Sequence, residues 1–282
     1  MASLREIKAR IANVTSTQQI IKAMDTIAST KLLKIRAQLE GVRPMFDALK
    51  QQVELLGQSP GAANHVFYNE REVKNTLYII LTSDRGFAGS YNANIMYEAL
   101  EHMEDKNEKL FVIGSMGYEF FRRREKHIIR EVSGIPDSQV YYGTESIARW
   151  FTELYLEGEV DEVYLAFTHF ENVLNYRPMI VKVLPLPAAS EEDTFERPIA
   201  FDPNLETVIE ETVPLYLHIN IFQAFSDSYT SEQASRMVTM SSAGDNASDL
   251  IEDLTKEYNR ERQAAITQEL SEIVGGANIH DG

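Results

Sequence analysis

The chain has 282 residues, 44% of them hydrophobic, a formal net charge of −16 and no cysteine. Its length and apolar content suffice for one or two cored domains, while the missing thiols exclude disulfides, thiolate metal sites and thiol catalysis. No apolar run approaches the roughly 20 residues that cross a bilayer, and the first residues show neither a signal core nor a transit pattern. This predicts a cytoplasmic protein that meets a membrane only through other proteins.

The charge is divided unevenly. Residues 1–56 carry nine Lys/Arg and five Asp/Glu, whereas residues 187–282 carry five and nineteen. The two ends are therefore electrostatically complementary, at about +4 and −14, although each exposed pair contributes only about 0.2–1 kcal/mol. An acidic chain is a poor candidate for binding nucleic acid.

From Leu4 a three-four repeat runs through Ile7, Ile11, Val14, Gln18, Ile21, Asp25, Ala28, Leu32, Ile35, Leu39, Val42, Phe46, Leu49, Val53 and Leu56, with only Gln18 and Asp25 out of character. Such an unbroken succession argues for a coiled-coil seam over residues 1–57, with a pair of ordinary amphipathic helices as the alternative. Pro44 predicts a kink or break near Arg43, since proline lacks the amide of an intrahelical hydrogen bond.

After a Gly/Pro/Ala/Ser stretch at 58–64 the period becomes that of strands. Runs at 76–83, 109–114, 127–132, 162–168 and 177–186 read as strands, with helical patterns near 92–104, 116–124 and 144–157. Their alternation predicts an α/β head over residues 58–201 with a largely parallel, Rossmann-like sheet. Pro185 and Pro187 close it, and 188–201, with the acidic run Glu191-Glu192-Asp193, reads as a connecting loop.

Helical spacing then returns from Leu205 to Ile273. Asp202-Pro203 is the expected cap and Gly275-Gly276 the expected stop, so residues 202–282 read as a second long helix. About 70 residues at 1.5 Å rise give a rod of roughly 105 Å, longer than any compact domain the chain could build. The fold class is thus α/β: a long antiparallel coiled coil of N- and C-terminal helices plus the head. The end of the longer helix needs another protein around it. Ala243 and Gly244 fit close helix approach in such a coil.

Catalytic signals are weak. The loop Ser83-Asp84-Arg85-Gly86-Phe87-Ala88-Gly89-Ser90-Tyr91 opens a helix, but its spacing fits neither a Walker loop nor a dinucleotide fingerprint, so it reads as a structural turn. Gly114-Ser115-Met116-Gly117 lacks the nucleophile-elbow pattern and reads as a tight turn. The six histidines are scattered, with no pair at metal-ligand spacing on one helix, and three adjacent acids at 191–193 do not converge on a cation. No catalytic residue, metal or cofactor is expected.

Thr17-Gln18-Gln19-Ile20-Ile21-Lys22-Ala23-Met24, Ala28-Ser29-Thr30-Lys31-Leu32, Ser231-Glu232-Gln233-Ala234-Ser235-Arg236-Met237, Asp245-Asn246-Ala247 and the run from Tyr258 to Ala277 resemble signatures of the gamma subunit of F-type ATP synthase, in its bacterial form. Phe87-Ala88-Gly89-Ser90 stand where that family usually has Leu-Cys-Gly-Gly, and the dithiol insertion of the chloroplast form is missing. The resemblance implies a central rotor shaft without a catalytic site of its own. It couples proton flow through the membrane c-ring of Fo to conformational cycling of the beta subunits. The partners implied are three alpha and three beta subunits, epsilon and the c-ring, at the cytoplasmic face of the cell membrane and with no direct membrane contact. It further implies that Arg262, Gln263, Thr267 and Glu269 contact the catalytic ring, that Met24, Lys31 and Lys34 meet acidic segments of beta, and that Arg236 is a subunit-interaction residue. Two readings of other classes compete: a nucleotide-binding α/β enzyme with a coiled-coil arm, and a self-associating coiled-coil protein.

Overall fold

The computed structural model describes residues 3–136, 139–188 and 200–280, with the side chains of 37–40, 42 and 273–280 outside the description. In chain order the elements are α1 (Leu4–Gly57), a short 3-10 turn (Ala62–Asn64), β1 (Thr76–Leu81), α2 (Tyr91–His102), β2 (Glu108–Ile113), α3 (Ser115–Arg122), β3 (Ile128–Val132), α4 (Val140–Leu156), β4 (Glu162–Phe170), β5 (Tyr176–Leu184) and α5 (Leu205–His280). They form two compact units, Met1–Ala28 with Met237–Gly282, and Ser29–Arg236.

The first unit consists of the beginning of α1 and the distal part of α5. Gln18 Nε2 donates to Ser248 Oγ at 2.7 Å, and a Cβ built on Gly244 would lie 3.7 Å from Ile21 Cγ2. As one number rises the other falls, so the two segments run antiparallel. Gln18, one of the two polar members of the repeat, is thus used across the seam. Gly244 leaves ordinary contact room for a methyl, so close approach does not require glycine there. Ile7 is buried and Leu4, Ile11, Val14 and Ile21 half-buried, while the off-repeat Ile20 and Ile27 are 60% and 57% exposed. That contrast is the signature of a narrow seam.

The second unit contains the sheet, in the order β3-β2-β1-β4-β5. β1 to β4 are mutually parallel, and β5 returns antiparallel along β4. Because strand side chains alternate, Leu77, Ile79 and Leu81 of β1 join one core with Ile147 and Phe151 of α4, Val53 and Leu56 of α1, and Ile209, Val213 and Leu217 of α5. Tyr78 and Ile80 join the other, with Ile95, Met96 and Ala99 of α2 and Phe121 of α3. Burial on both faces accounts for the nearly continuous apolar runs of these strands.

Two boundary expectations need correction, and of the kink or break expected near Arg43 the break does not occur. α1 continues through Pro44, with Leu32, Ile35, Leu49 and Val53 on either side buried and Phe46 stacked on Tyr216 at 6.2 Å. That apolar burial outweighs the roughly 3 kcal/mol that an interior proline costs. α5 starts at Leu205, and its cap is Asn204, not Asp202-Pro203: Asn204 Oδ1 accepts the amide of Thr207 at 2.9 Å. Gly275-Gly276 does not stop α5, which continues to His280. The acidic run 191–193 lies outside the described residues.

Candidate functional site

The loop between β1 and α2 is built from its own side chains. Asn92 Oδ1 accepts the Ser83 amide at 2.9 Å, while Asn92 Nδ2 donates to Ser83 Oγ at 2.7 Å. Phe87 and Gly89 have positive φ, and Phe87 is 69% exposed. Asp84 accepts the amide and hydroxyl of Ser115 at the start of α3 and the amide of Gly134. A carboxylate of the chain itself thus accepts the first amide of α3. Gly114 (φ +99°) and Gly117 are fixed by close approach, since a Cβ on either would come within 2.3 and 2.6 Å of Thr82 atoms. Both strand-to-helix turns are therefore packed by the chain's own groups.

Against this loop lies a polar stretch of α5. Ser226, Asp227, Ser228, Thr230, Ser231, Glu232, Gln233, Ser235 and Arg236 are all buried, with Tyr229 half-buried. Asp227 Oδ2 lies 2.8 Å from His169 Nδ1 on β4. Ser231 Oγ is 3.2 Å from the Thr168 carbonyl and 2.9 Å from that of Asp227. Ser235 Oγ donates to the Ala88 carbonyl at 2.6 Å and accepts the Tyr176 hydroxyl of β5. Ser228 Oγ meets Tyr91 OH at 2.7 Å and accepts the Thr168 amide. Arg236 pairs with Glu232 at 2.6 Å and donates to the carbonyls of Arg85 and Gly86. Lys31 Nζ of α1 donates to Tyr229 OH at 2.6 Å and lies 5.3 Å from its ring centroid.

Burial raises the pKa of Glu232, with Arg236 opposing the rise. Burial likewise raises that of Asp227, against the hydrogen bond from His169 and the charge of Arg43. Both carboxyls are thus balanced between burial and their particular partners, His169 and Arg236.

The residues singled out in the sequence fall into two groups. Arg236 and Lys31 are engaged inside the second unit, Arg236 with nearly all of its guanidinium buried. Met24 is half-buried and Lys34 exposed on α1, and Arg262, Gln263, Thr267 and Glu269 are exposed on α5. Thr267 Oγ1 turns back to its own helix at the Gln263 carbonyl, 2.9 Å away. Exposed apolar side chains accompany this second group: Ile266 is 49% and Leu270 58% exposed. What sequence reading missed is the buried polar band itself. The only available signal was the density of serine and threonine in a helix that elsewhere keeps an apolar stripe. Among the described residues no three His, Cys, Asp or Glu side chains cluster to hold a metal, and no helix is long and apolar enough to cross a membrane.

A family model described as ATP synthase matches residues 3–279. The ATP synthase gamma chain of Alkaliphilus metalliredigens is 38% identical over 281 residues, covering 97% of each chain. The sodium ion specific ATP synthase gamma chain of Acetobacterium woodii is 38% identical over 98% of each. Among solved structures, the central stalk and c-ring of the Tetrahymena thermophila mitochondrial ATP synthase gives a TM-score of 0.64 at 25% identity, covering 79% of this chain and 99% of that one. The rotor of the Euglena gracilis mitochondrial ATP synthase gives 0.68 at 14% identity, over 93% and 98%, and supports the fold alone. Long paired terminal segments, a doubly covered sheet and end-to-end similarity lead to one assignment: the chain belongs to the ATP synthase gamma chain family.

Proposed function

We propose that this chain is the central rotor shaft of an F1Fo ATP synthase. The observation that carries the reading is the antiparallel pairing of the two chain ends within one compact unit, Gln18 with Ser248 and Ile21 beside Gly244, in a chain similar to gamma chains along its length. In this reading the pair turns inside a ring of three alpha and three beta subunits, while the head, with epsilon, stands on the c-ring. Ion flow through that ring drives rotation, and contact with the membrane is indirect. The assembly stands at the cytoplasmic face of a bacterial cell membrane.

Catalysis belongs to the beta subunits. A single helix pair presents different side chains in different directions, so three chemically identical neighbours meet three different surfaces. The shaft biases each neighbour only by its differential contact free energy with the alternative states, about 1.4 kcal/mol for every tenfold population shift. Arg262, Gln263, Thr267 and Glu269 are the contacts proposed for the ring, and Met24, Lys31 and Lys34 those for acidic segments of beta. Their support is the exposure of all but the half-buried Met24 and Lys31.

Native mass spectrometry of the chain co-expressed with alpha and beta tests the assignment. A species of three alpha, three beta and one copy of this chain is expected, and a lone chain or homodimer overturns it. Within that complex, Lys34→Glu and Arg262→Glu together are expected to reduce ATP-driven rotation, and unchanged rotation removes these residues from the contact set.

A further inference from the structure

The buried polar band on α5 has an angular order. Successive helix positions are about 100° apart, so Asp227, Ser231, Ser235, Ser228, Glu232, Arg236 and Tyr229 follow one another around an arc of about 200°. Apart from Glu232, which holds Arg236 on the same helix, each meets the surrounding part of the second unit, with Ser228 and Ser231 sharing the backbone of Thr168. Asp227 faces His169, Ser231 faces Thr168, and Ser235 faces Ala88 and Tyr176. Ser228 faces Tyr91, Arg236 with its partner Glu232 faces Arg85 and Gly86, and Tyr229 faces Lys31.

Apolar packing of Ile209, Val213 and Leu217 already resists large rolls of α5, but dispersion and burial carry no directional term that singles out one angle for small ones. Hydrogen bonds weaken steeply with distance and angle, and in a buried site no water replaces a broken one. A helix bonded around half its circumference to backbone carbonyls, an amide and fixed side chains therefore has one favoured rotational setting.

We propose that this collar is a torsional lock that fixes the angle of α5 within the head, with Ser228, Ser231, Ser235 and Arg236 as positioning residues for transmission of torque. The inference rests on the rotor reading and adds where in the chain angular slip is prevented. It also gives Arg236 an internal task, holding the loop that carries the exposed Phe87 by its Arg85 and Gly86 carbonyls.

The test uses the assembled complex with Ser228→Ala, Ser231→Ala and Ser235→Ala combined, and separately Tyr91→Phe, which removes one hydroxyl without changing the packing volume. Ile147→Ala in the apolar core, far from the collar in sequence and chemistry, serves as the control for lost stability. Angular fluctuation of a bead fixed to the head is recorded with the alpha–beta ring immobilised, and ions pumped per ATP hydrolysed are measured in vesicles. The collar variants are expected to broaden the angular distribution and lower the pumping ratio while ATP hydrolysis persists, with the control like wild type. Wild-type stiffness and coupling in the collar variants overturn the lock, as does an equal loss in the control. Failure of the wild-type chain to assemble with alpha and beta overturns the rotor reading beneath it, a result distinguishable from either.

Discussion

Glu162 shows how one residue's environment sets its contribution. At the start of β4, its side chain 3% exposed, it accepts Thr76 Oγ1 at 2.8 Å and pairs with Lys182 at 3.1 Å and with Lys106. Burial by itself would raise its pKa, but the hydrogen bonds from Lys106, Thr76 and Lys182 outweigh that and lower it from 4.5 to about 2. Since the folded carboxyl is the stronger acid, its stabilisation is complete above pH 4.5 and fades as pH falls through 2. Glu162→Gln is therefore expected to cost about 1–3 kcal/mol at neutral pH, because the amide still accepts one hydrogen bond but removes the charge that two lysines share. In denaturant unfolding of the isolated chain the difference from wild type should shrink between pH 5 and pH 3. A difference independent of pH would mean that packing, not charge, explains the loss.

At the scale of elements, regular periods were legible and local exceptions were not. The three-four repeat of α1 predicted its buried face, since Ile7, Ala28, Leu32, Ile35, Leu49, Val53 and Leu56 are all buried while Ile20, Ile27 and Leu33 are exposed. Both strand-to-helix turns lie where the sequence places them, between β1 and α2 and between β2 and α3. Boundaries failed where a long helix overrides a local breaker: Pro44 lies inside α1 and Gly275-Gly276 inside α5. The collar was illegible for a different reason. Asp227 to Arg236 is a polar run with no apolar stripe to mark it as buried, and only the fold brings the β1–α2 loop and the β4–β5 pair against it. Pro44 also supplies a prediction at this scale. If neighbouring burial, not local preference, holds α1 together there, Pro44→Ala should stabilise the isolated chain by up to about 3 kcal/mol through the restored amide. A rise in the denaturant midpoint at unchanged slope would establish this, and a fall would show that α1 is shaped to the proline.

For the whole molecule, folding and assembly draw on different residues. The second unit holds the sheet, both apolar cores and the collar, whereas the last part of α5 offers little to the chain itself: among its described side chains, residues 258–272 include none that is buried. Ile266 and Leu270 remain largely exposed, and the ion pair of Arg260 with Glu261 is long at 3.8 Å. Most of these groups contribute within about 0.5 kcal/mol each, but the register of Gln18 with Ser248 sets the half-buried Tyr258 near the buried Ile7, so removing residues 258–282 is expected to lower the melting temperature of the isolated chain by only a few degrees. The same truncation strips Arg262, Gln263, Thr267 and Glu269 from the surface proposed to meet the alpha–beta ring. Capture of the truncated chain by immobilised alpha–beta complex should therefore be weaker than that of the full chain, although both fold. A large drop in melting temperature would make the segment part of the chain's own fold. Undiminished capture would place the decisive contacts on α1 and on the part of α5 before Tyr258, leaving the exposed apolar end without a role in holding the shaft.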